Sequence, residues 1–280
     1  GHSQLVISSV VSRIWLAFPS LQGKETNPMD LSQSSVLVTG GGSGLGRVLA
    51  ADFAAAGAQI HICGRRREPL DAMAAANTLI TSHILDVTDE EATTRLFAEI
   101  GPQQVVIANA GIAESAPFHR TERDMWDRII GVNLTGCFLT LRAGLRALRD
   151  SGNGGSGGGR LIAISSIMGL AGYRYASAYS ASKHGVNGMV AALAAEIEGS
   201  GITANALCPG YLEGEMTDRT IATIMEKAGK SREDAVAVLA ATSPEGRLIR
   251  PEEVSAAALR LCAPGSDGIN GKAIEINGEA

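Results

Sequence analysis

Residues Val36-Leu37-Val38-Thr39-Gly40-Gly41-Gly42-Ser43-Gly44-Leu45-Gly46 decide the fold. An apolar, β-branched run enters a cluster of glycines, and a helix-patterned stretch at about 44–56 follows directly. Glycine tolerates the sharp turn from strand into helix, and Gly40, Gly44 and Gly46 allow the backbone to approach a phosphate closely. The helix that opens there offers free N–H groups and the positive end of its dipole. Alone, a glycine cluster marks an ordinary turn as readily as a pyrophosphate cradle. Its place between the first strand and a helix favours dinucleotide binding.

Working outward, apolar runs at 35–39, 59–63, 81–85, 104–108, 160–165, 202–207 and 272–276 alternate with helical patterns at about 44–56, 68–77, 89–100, 121–149, 179–198 and 251–262. This rhythm predicts an α/β fold: a doubly wound, seven-stranded parallel sheet with helices on both faces, in one domain spanning 33–280. The strands are expected to be buried on both faces. Residues 211–250 interrupt the rhythm after the sixth strand, with helical patterns at 220–227 and 233–241. An insertion there lies beside the carboxyl ends of the strands and is expected to be a substrate lid. The stretch 151–159 (SGNGGSGGG) reads as a flexible connection. Residues 1–32 begin Gly-His rather than Met, and their apolar part is too short to span a bilayer and lacks a basic start. They are expected to be a tag remnant or upstream extension.

Composition narrows the class. The 280 residues are 45% apolar and 19% charged, which excludes a disordered chain. Net charge is −5, with basic residues scattered, which argues against nucleic acid or an anionic membrane as partner. Cys63, Cys137, Cys208 and Cys262 form no C-x-x-C pair or metal cluster, so no metal is expected and a reduced, cytoplasmic protein is. The five histidines are dispersed along the chain and are assigned no chemistry.

Tyr179 and Lys183 stand four apart on a predicted helix and share a face. A free phenol, with a pKa of about 10, is a poor acid or base near neutrality. A neighbouring ammonium favours phenolate, so Lys183 is expected to lower the Tyr179 pKa. Ser166 ends the fifth strand, thirteen residues before Tyr179, where its hydroxyl can hold a substrate oxygen. Ser165 should point elsewhere by pleat alternation. Tyr173, Arg174 and Tyr175, between Ser166 and Tyr179, either line the cleft or are merely exposed.

The T-G-x-x-x-G-x-G spacing over Thr39–Gly46, with Asp86-Val87, Asn109-Ala110-Gly111, Ser166, Tyr179-x-x-x-Lys183 and Pro209-Gly210 in this order, resembles the short-chain dehydrogenase/reductase family. The resemblance covers nearly all of 33–280 and implies a Rossmann-type fold. By that resemblance Ser43 and Leu45 belong to the cofactor turn, Asp86 and Val87 contact adenine, and Asn109, Ala110 and Gly111 brace the sheet beside the cofactor. Asn133 completes a catalytic tetrad with Ser166, Tyr179 and Lys183 by holding a water that relays protons. Pro209, Gly210 and Leu212 lie beside the nicotinamide. The family's carboxamide-binding Thr is replaced by Gly214, so a backbone group or Thr217 must substitute. The family also implies a homotetramer, with a homodimer as the alternative.

After the second strand, Gly64 takes the place where NAD enzymes carry an acid, and Arg65, Arg66 and Arg67 follow. A 2′-phosphate suits a guanidinium, so NADP(H) is favoured, with Arg65 the first ligand and Arg66 the second. Ser43 stands where the family's other NADP signal would be basic, and NAD(H) remains the alternative. The alternative reading of the three arginines is a solvated helix-start surface. Ser243-Pro244-Glu245-Gly246-Arg247, Ile269-Asn270-Gly271 and Asn277-Gly278 resemble the 3-oxoacyl reductase and 3-hydroxyacyl dehydrogenase branch. The expected activity is hydride transfer between nicotinamide and a secondary alcohol or ketone, with a 3-oxoacyl thioester as leading substrate. Sugar, polyol or steroid carbonyls are the alternatives, and a non-catalytic dinucleotide sensor is the other class.

Overall fold

The computed structural model describes residues 31–32, 34–151 and 158–278. Most of the expected N-terminal extension (1–30) and the centre of the glycine-rich connection (152–157) lie outside the described residues. Strands β1 (Ser35–Thr39), β2 (Gln59–Gly64), β3 (Ile80–Ile84), β4 (Val105–Ala108), β5 (Gly159–Ile164), β6 (Ile202–Pro209) and β7 (Ala273–Ile276) form one sheet, in the order β3-β2-β1-β4-β5-β6-β7. Every pairing between them is parallel, as the β-α-β rhythm requires.

Helices α1 (Gly44–Ala55), α2 (Arg67–Ala76), α3 (Glu90–Ile100), α4 (Arg123–Ile130), α5 (Gly136–Asp150), α6 (Ser177–Glu196), α7 (Glu215–Ala228), α8 (Arg232–Ala240) and α9 (Pro251–Cys262) surround it. Alternation along the strands builds two apolar layers. Val36, Val38, Ile60, Ile62, Ile107 and Ile162 pack with Leu49 and Phe53 of α1 and Val254 and Leu261 of α9. Leu37, Val106, Leu161 and Ala163 pack on the opposite face with Phe97 of α3, Leu141 of α5 and Val186 of α6.

Three expectations need correction. Strands β3 and β7 are not buried on both faces: they are the sheet edges, and Thr81, Ile84, Ala273 and Glu275 are exposed. The helix expected over 121–149 is divided, with a widened π turn at Gly131–Thr135 between α4 and α5. Gly136 packs there against Val87; a Cβ at Gly136 would stand 2.6 Å from Val87 Cγ2. Leu31, which the sequence leaves in the N-terminal extension, is fully buried in the first apolar layer. Lastly, two histidines are neighbours: His61 on β2 and His83 on β3 place Nδ1 and Nε2 2.9 Å apart. Burial first, and then the neighbouring His83, holds His61 below its ordinary pKa.

The 211–250 insertion is pinched at its base. Leu212 bridges Ile249, Glu213 N–H donates to Ile249 O at 2.9 Å, and Ile249 N–H donates to Tyr211 O at 2.8 Å. Helices α7 and α8 pack on each other through Ile221, Ala235 and Leu239. Arg247 anchors the returning chain to Glu253 by bonds of 2.7 and 2.8 Å and to Gly278 O at 3.0 Å. Hydrogen bonding to Arg247 holds the Glu253 carboxyl down to about 2. No helix among the described residues is long and apolar enough to cross a membrane.

Candidate active site

Strands β1 and β4 lie side by side, and the sheet is extended outward from them in both directions. The crevice above their carboxyl ends is where an open α/β sheet binds ligands. Asn109 closes it: its N–H donates to Thr39 Oγ1 at 3.0 Å and its Nδ2 to Thr39 O at 2.8 Å. Ala110 N–H shares the same hydroxyl at 3.0 Å. The glycine turn is packed into this bracket. A Cβ on Gly46 would stand 2.2 Å from Gly40 O and 2.6 Å from Asn109 Nδ2, so only glycine fits. Gly44 differs. Its φ is +51°, and no atom lies within 4 Å of where its Cβ would point.

That open cradle fits a pyrophosphate. Ser43, extended at the start of α1, does not cap the helix, and no acid occupies the first turn. The first N–H groups of α1 are thus free of side-chain caps, at the positive end of the dipole. The Ser43 hydroxyl instead accepts from Arg66 at 3.1 Å, which brings that guanidinium to the glycine turn. Arg65 acts on Asp86. Burial works to raise that carboxyl, but bonds from Thr88 N–H and hydroxyl, with the Arg65 charge, leave it below its ordinary value. Asp86 is exposed just past the end of β3 and Val87 is buried beside it. Leu45 is half-buried and packs against the core.

Two further strand ends, β5 and β6, and the first turns of α6 bring polar groups to the same edge. Ser166 follows β5 and is 7% exposed; its hydroxyl accepts from Met168 N–H at 3.1 Å and lies beside the Tyr179 phenol, whose pKa it pulls down. Tyr179, on the first turns of α6, packs with Ile167, Met168, Tyr173 and Tyr211. Lys183, one turn on and 4% exposed, donates from Nζ to Ile164 O at 2.8 Å and lies 5.6 Å from the centre of the Tyr179 ring. Pro209 ends β6, and Gly210 N–H is tied to Ile276 O at 3.1 Å. Leu212 sits at the base of the insertion.

The electrostatics correct one expectation. Burial pushes the Tyr179 phenol up to about 12, against the Ser166 hydroxyl, which pulls it down. Burial likewise pushes Lys183 down to about 8. In the protein alone desolvation is the largest influence on both groups, and each is shifted toward its neutral form.

Asn133 occupies the π turn and is buried. Its Oδ1 accepts from Ile112 N–H at 2.8 Å, and its Nδ2 donates to Ile112 O at 2.9 Å and to Ser182 Oγ at 3.2 Å. A Cβ on Gly111 would stand 3.4 Å from Asn133 Oδ1 and 3.8 Å from Lys183 Nζ, so Gly111 lies between the two. Of the loop residues, Tyr173 is half-buried against Tyr179, while Arg174 and Tyr175 are exposed. Tyr175 has φ +67°, and its carbonyl accepts from Ala116 N–H at 2.9 Å, joining the two loops that flank the cleft. Gly214 has φ +133° at the start of α7, and Thr217 is buried in its first turn.

Several groups here went unnoticed in the sequence: the Ile112 backbone, the Ile164 carbonyl, and Asn187 behind Ser166. Backbone groups leave no sequence signal. Gly169, three residues after Ser166, was the available sign of close packing.

Comparison with known proteins agrees with this geometry. The model of the family "short chain dehydrogenase" matches residues 34–224. An acetoacetyl-CoA reductase of Shinella zoogloeoides is 34% identical over 246 residues, covering 86% of this chain and 96% of that protein. A galactitol 2-dehydrogenase (L-tagatose-forming) of Cereibacter sphaeroides is 32% identical, covering 89% and 95%. Among solved structures, an actinorhodin polyketide ketoreductase variant with NADPH superposes with a TM-score of 0.81 at 30% identity, covering 89% of this chain and 98% of that one. A glycine cradle at the sheet's switch point, a Ser–Tyr–Lys cluster on the same edge and these matches place the chain in the short-chain dehydrogenase family, oxidoreductases that act on alcohols and ketones.

Proposed function

We propose that the protein is an NADP(H)-dependent reductase or dehydrogenase of a secondary alcohol/ketone pair, with a 3-oxoacyl thioester as its leading substrate. The observation that carries the reading is Ser166 beside the Tyr179 phenol with Lys183 one turn away, at the same sheet edge as the glycine cradle. When bound, the nicotinamide supplies or accepts the hydride. Gly40, Ser43, Gly44, Leu45 and Gly46 would hold the pyrophosphate side, Asp86 and Val87 the adenine side, and Asn109, Ala110, Gly111, Pro209, Gly210 and Leu212 the walls. Arg66, at the glycine turn, and Arg65 beside it would take the 2′-phosphate.

Ser166 orients the substrate oxygen. Tyr179 gives its phenolic proton to that oxygen in reduction and takes it back in oxidation. A phenol raised to about 12 stays protonated at neutrality, which suits the reductive direction. Lys183 supplies the positive charge that favours phenolate once the proton has left. Asn133 holds the widened helix turn against Ile112, beside Lys183.

Apolar packing of Met168, Tyr173 and Tyr211 around Tyr179 supports an acyl chain over a polyhydroxylated substrate, as do the acetoacetyl-CoA reductase and polyketide ketoreductase relatives. The galactitol dehydrogenase relative supports the second reading, a polyol or sugar. Assays with NADPH and NADH against acetoacetyl thioesters, ketoses and polyols test both. Turnover of the thioester with NADPH supports the proposal; turnover of the polyol alone, or a marked NADH preference, removes it.

A further inference from the structure

Behind Ser166 lies a hydrogen-bonded cluster that takes no part in the proton transfer. The Cys208 thiol lies beside the Ser165 hydroxyl and the Ser166 N–H, and its sulfur is 3.7 Å from Asn187 Oδ1. Burial pushes this thiol up to about 11, so it remains S–H and donates to Asn187. Asn187 Nδ2 in turn donates to Gly169 O at 2.9 Å. Ser165 Oγ donates to Lys183 O at 3.3 Å. The three elements meet at Gly169, where a Cβ would stand 2.8 Å from each of Asn187 Nδ2, Lys183 O and Ser165 Oγ. The turn from Ser166 to Gly169 is therefore held at its end by Asn187, which Cys208 in turn holds from β6. Asn187 also stands four residues after Lys183, on the helix that carries Tyr179.

We infer that Asn187 is a positioning residue: its clasp on Gly169 and Cys208 sets the spacing between the Ser166 hydroxyl and the Tyr179 phenol. This rests on the roles proposed above for Ser166 and Tyr179. A turn released from α6 lets the hydroxyl drift, and a small displacement of an orienting group costs turnover rather than binding.

The test joins amide exchange on the free protein to steady-state kinetics. Asn187→Leu keeps the bulk and removes both hydrogen bonds. Exchange at the Met168 and Gly169 amides is expected to rise at least about tenfold while amides of β1 and β4 are unchanged. With the substrate found in the assay panel, kcat falls about tenfold and KM stays within about twofold. In a Ser166→Ala background the same substitution costs less than about twofold. Should Asn187→Leu fail to fold, Cys208→Ala removes the thiol that holds Asn187 and is read in the same way. Unchanged exchange, or an equal loss of kcat in both backgrounds, overturns the inference. If Ser166→Ala alone leaves turnover intact, it is the proposed role of Ser166 that fails, and exchange at Met168 and Gly169 still decides the clasp.

Discussion

The Lys183 amine lies 5.6 Å from the centre of the Tyr179 ring, one turn along the same helix, and its proton goes to the Ile164 carbonyl at 2.8 Å. The lysine thus spans the end of β5 and the face of α6, fixed by backbone rather than by an acid. Both titrating groups are buried, and each is pushed toward its neutral form.

Replacing the phenol separates chemistry from binding. Tyr179→Phe removes one hydroxyl, beside Ser166, and leaves the ring packed. A fall in kcat of about 10²–10⁴ is expected, with NADPH affinity within about threefold of wild type. Steady-state kinetics and cofactor fluorescence titration check this. Retained turnover would show that another group moves the proton.

The buried lysine makes stability depend on pH with a definite sign. Burial pushes it down to about 8 in the folded chain, from an ordinary value of 10.5. Below pH 8 both states carry the charge, and the folded one bears the cost of burying it. From there to 10.5 the unfolded state holds more protons, so wild-type stability rises with pH. Relative to Lys183→Met, wild type should gain roughly 2–3 kcal/mol between pH 7 and pH 10. Urea unfolding of both proteins at several pH values measures it, and a constant difference would contradict the burial argument.

Two glycines of one turn should respond differently to alanine. Gly46→Ala drives a methyl against Gly40 O and Asn109 Nδ2 and should cost more than about 3 kcal/mol of stability. Gly44→Ala meets no neighbour but must hold φ +51°, a strain of about 1 kcal/mol. Its methyl enters the open cradle, so cofactor Kd should rise at least about tenfold while the fold persists. Thermal unfolding and cofactor titration together separate the two. Equal loss of stability in both variants would deny the cradle.

The order of the two arginines is open to direct measurement. Arg66 reaches Ser43 across the glycine turn, whereas Arg65 faces Asp86. Arg66→Ala should weaken NADPH about 10–100-fold and NADH by less than about twofold. Arg65→Ala should have the smaller effect on NADPH. Calorimetric titration of both cofactors into both variants decides it, and the reverse order would restore the ranking drawn from the sequence.

Much of the site was legible because its signals are local. The glycine turn, the Tyr179–Lys183 spacing and the strand ends at Ser166 and Asn109 are read within a dozen residues, where helix and strand periods hold. The broken helix was not. Residues 121–149 keep a helical pattern throughout, and the π turn is held by Asn133 on Ile112, twenty-one residues away. Leu31 was excluded because its packing partners come from several elements. His61 and His83 looked unrelated, yet parallel pairing sets Cys63 against His83 and His61 against Thr81, which brings the two rings together.

The sequence by itself determined the β-α-β order, the glycine turn between β1 and α1 and the placing of Tyr179 and Lys183 one turn apart on a helix, since these depend on residue type at fixed short spacing. Only the tertiary structure decided which backbone carbonyl receives Lys183, how Asn187 and Cys208 grip the Ser166 turn, and which arginine meets the glycines. Those contacts join residues distant in the chain. Their geometry follows from strand register and helix packing, and the charges respond to a burial that no short stretch of sequence records.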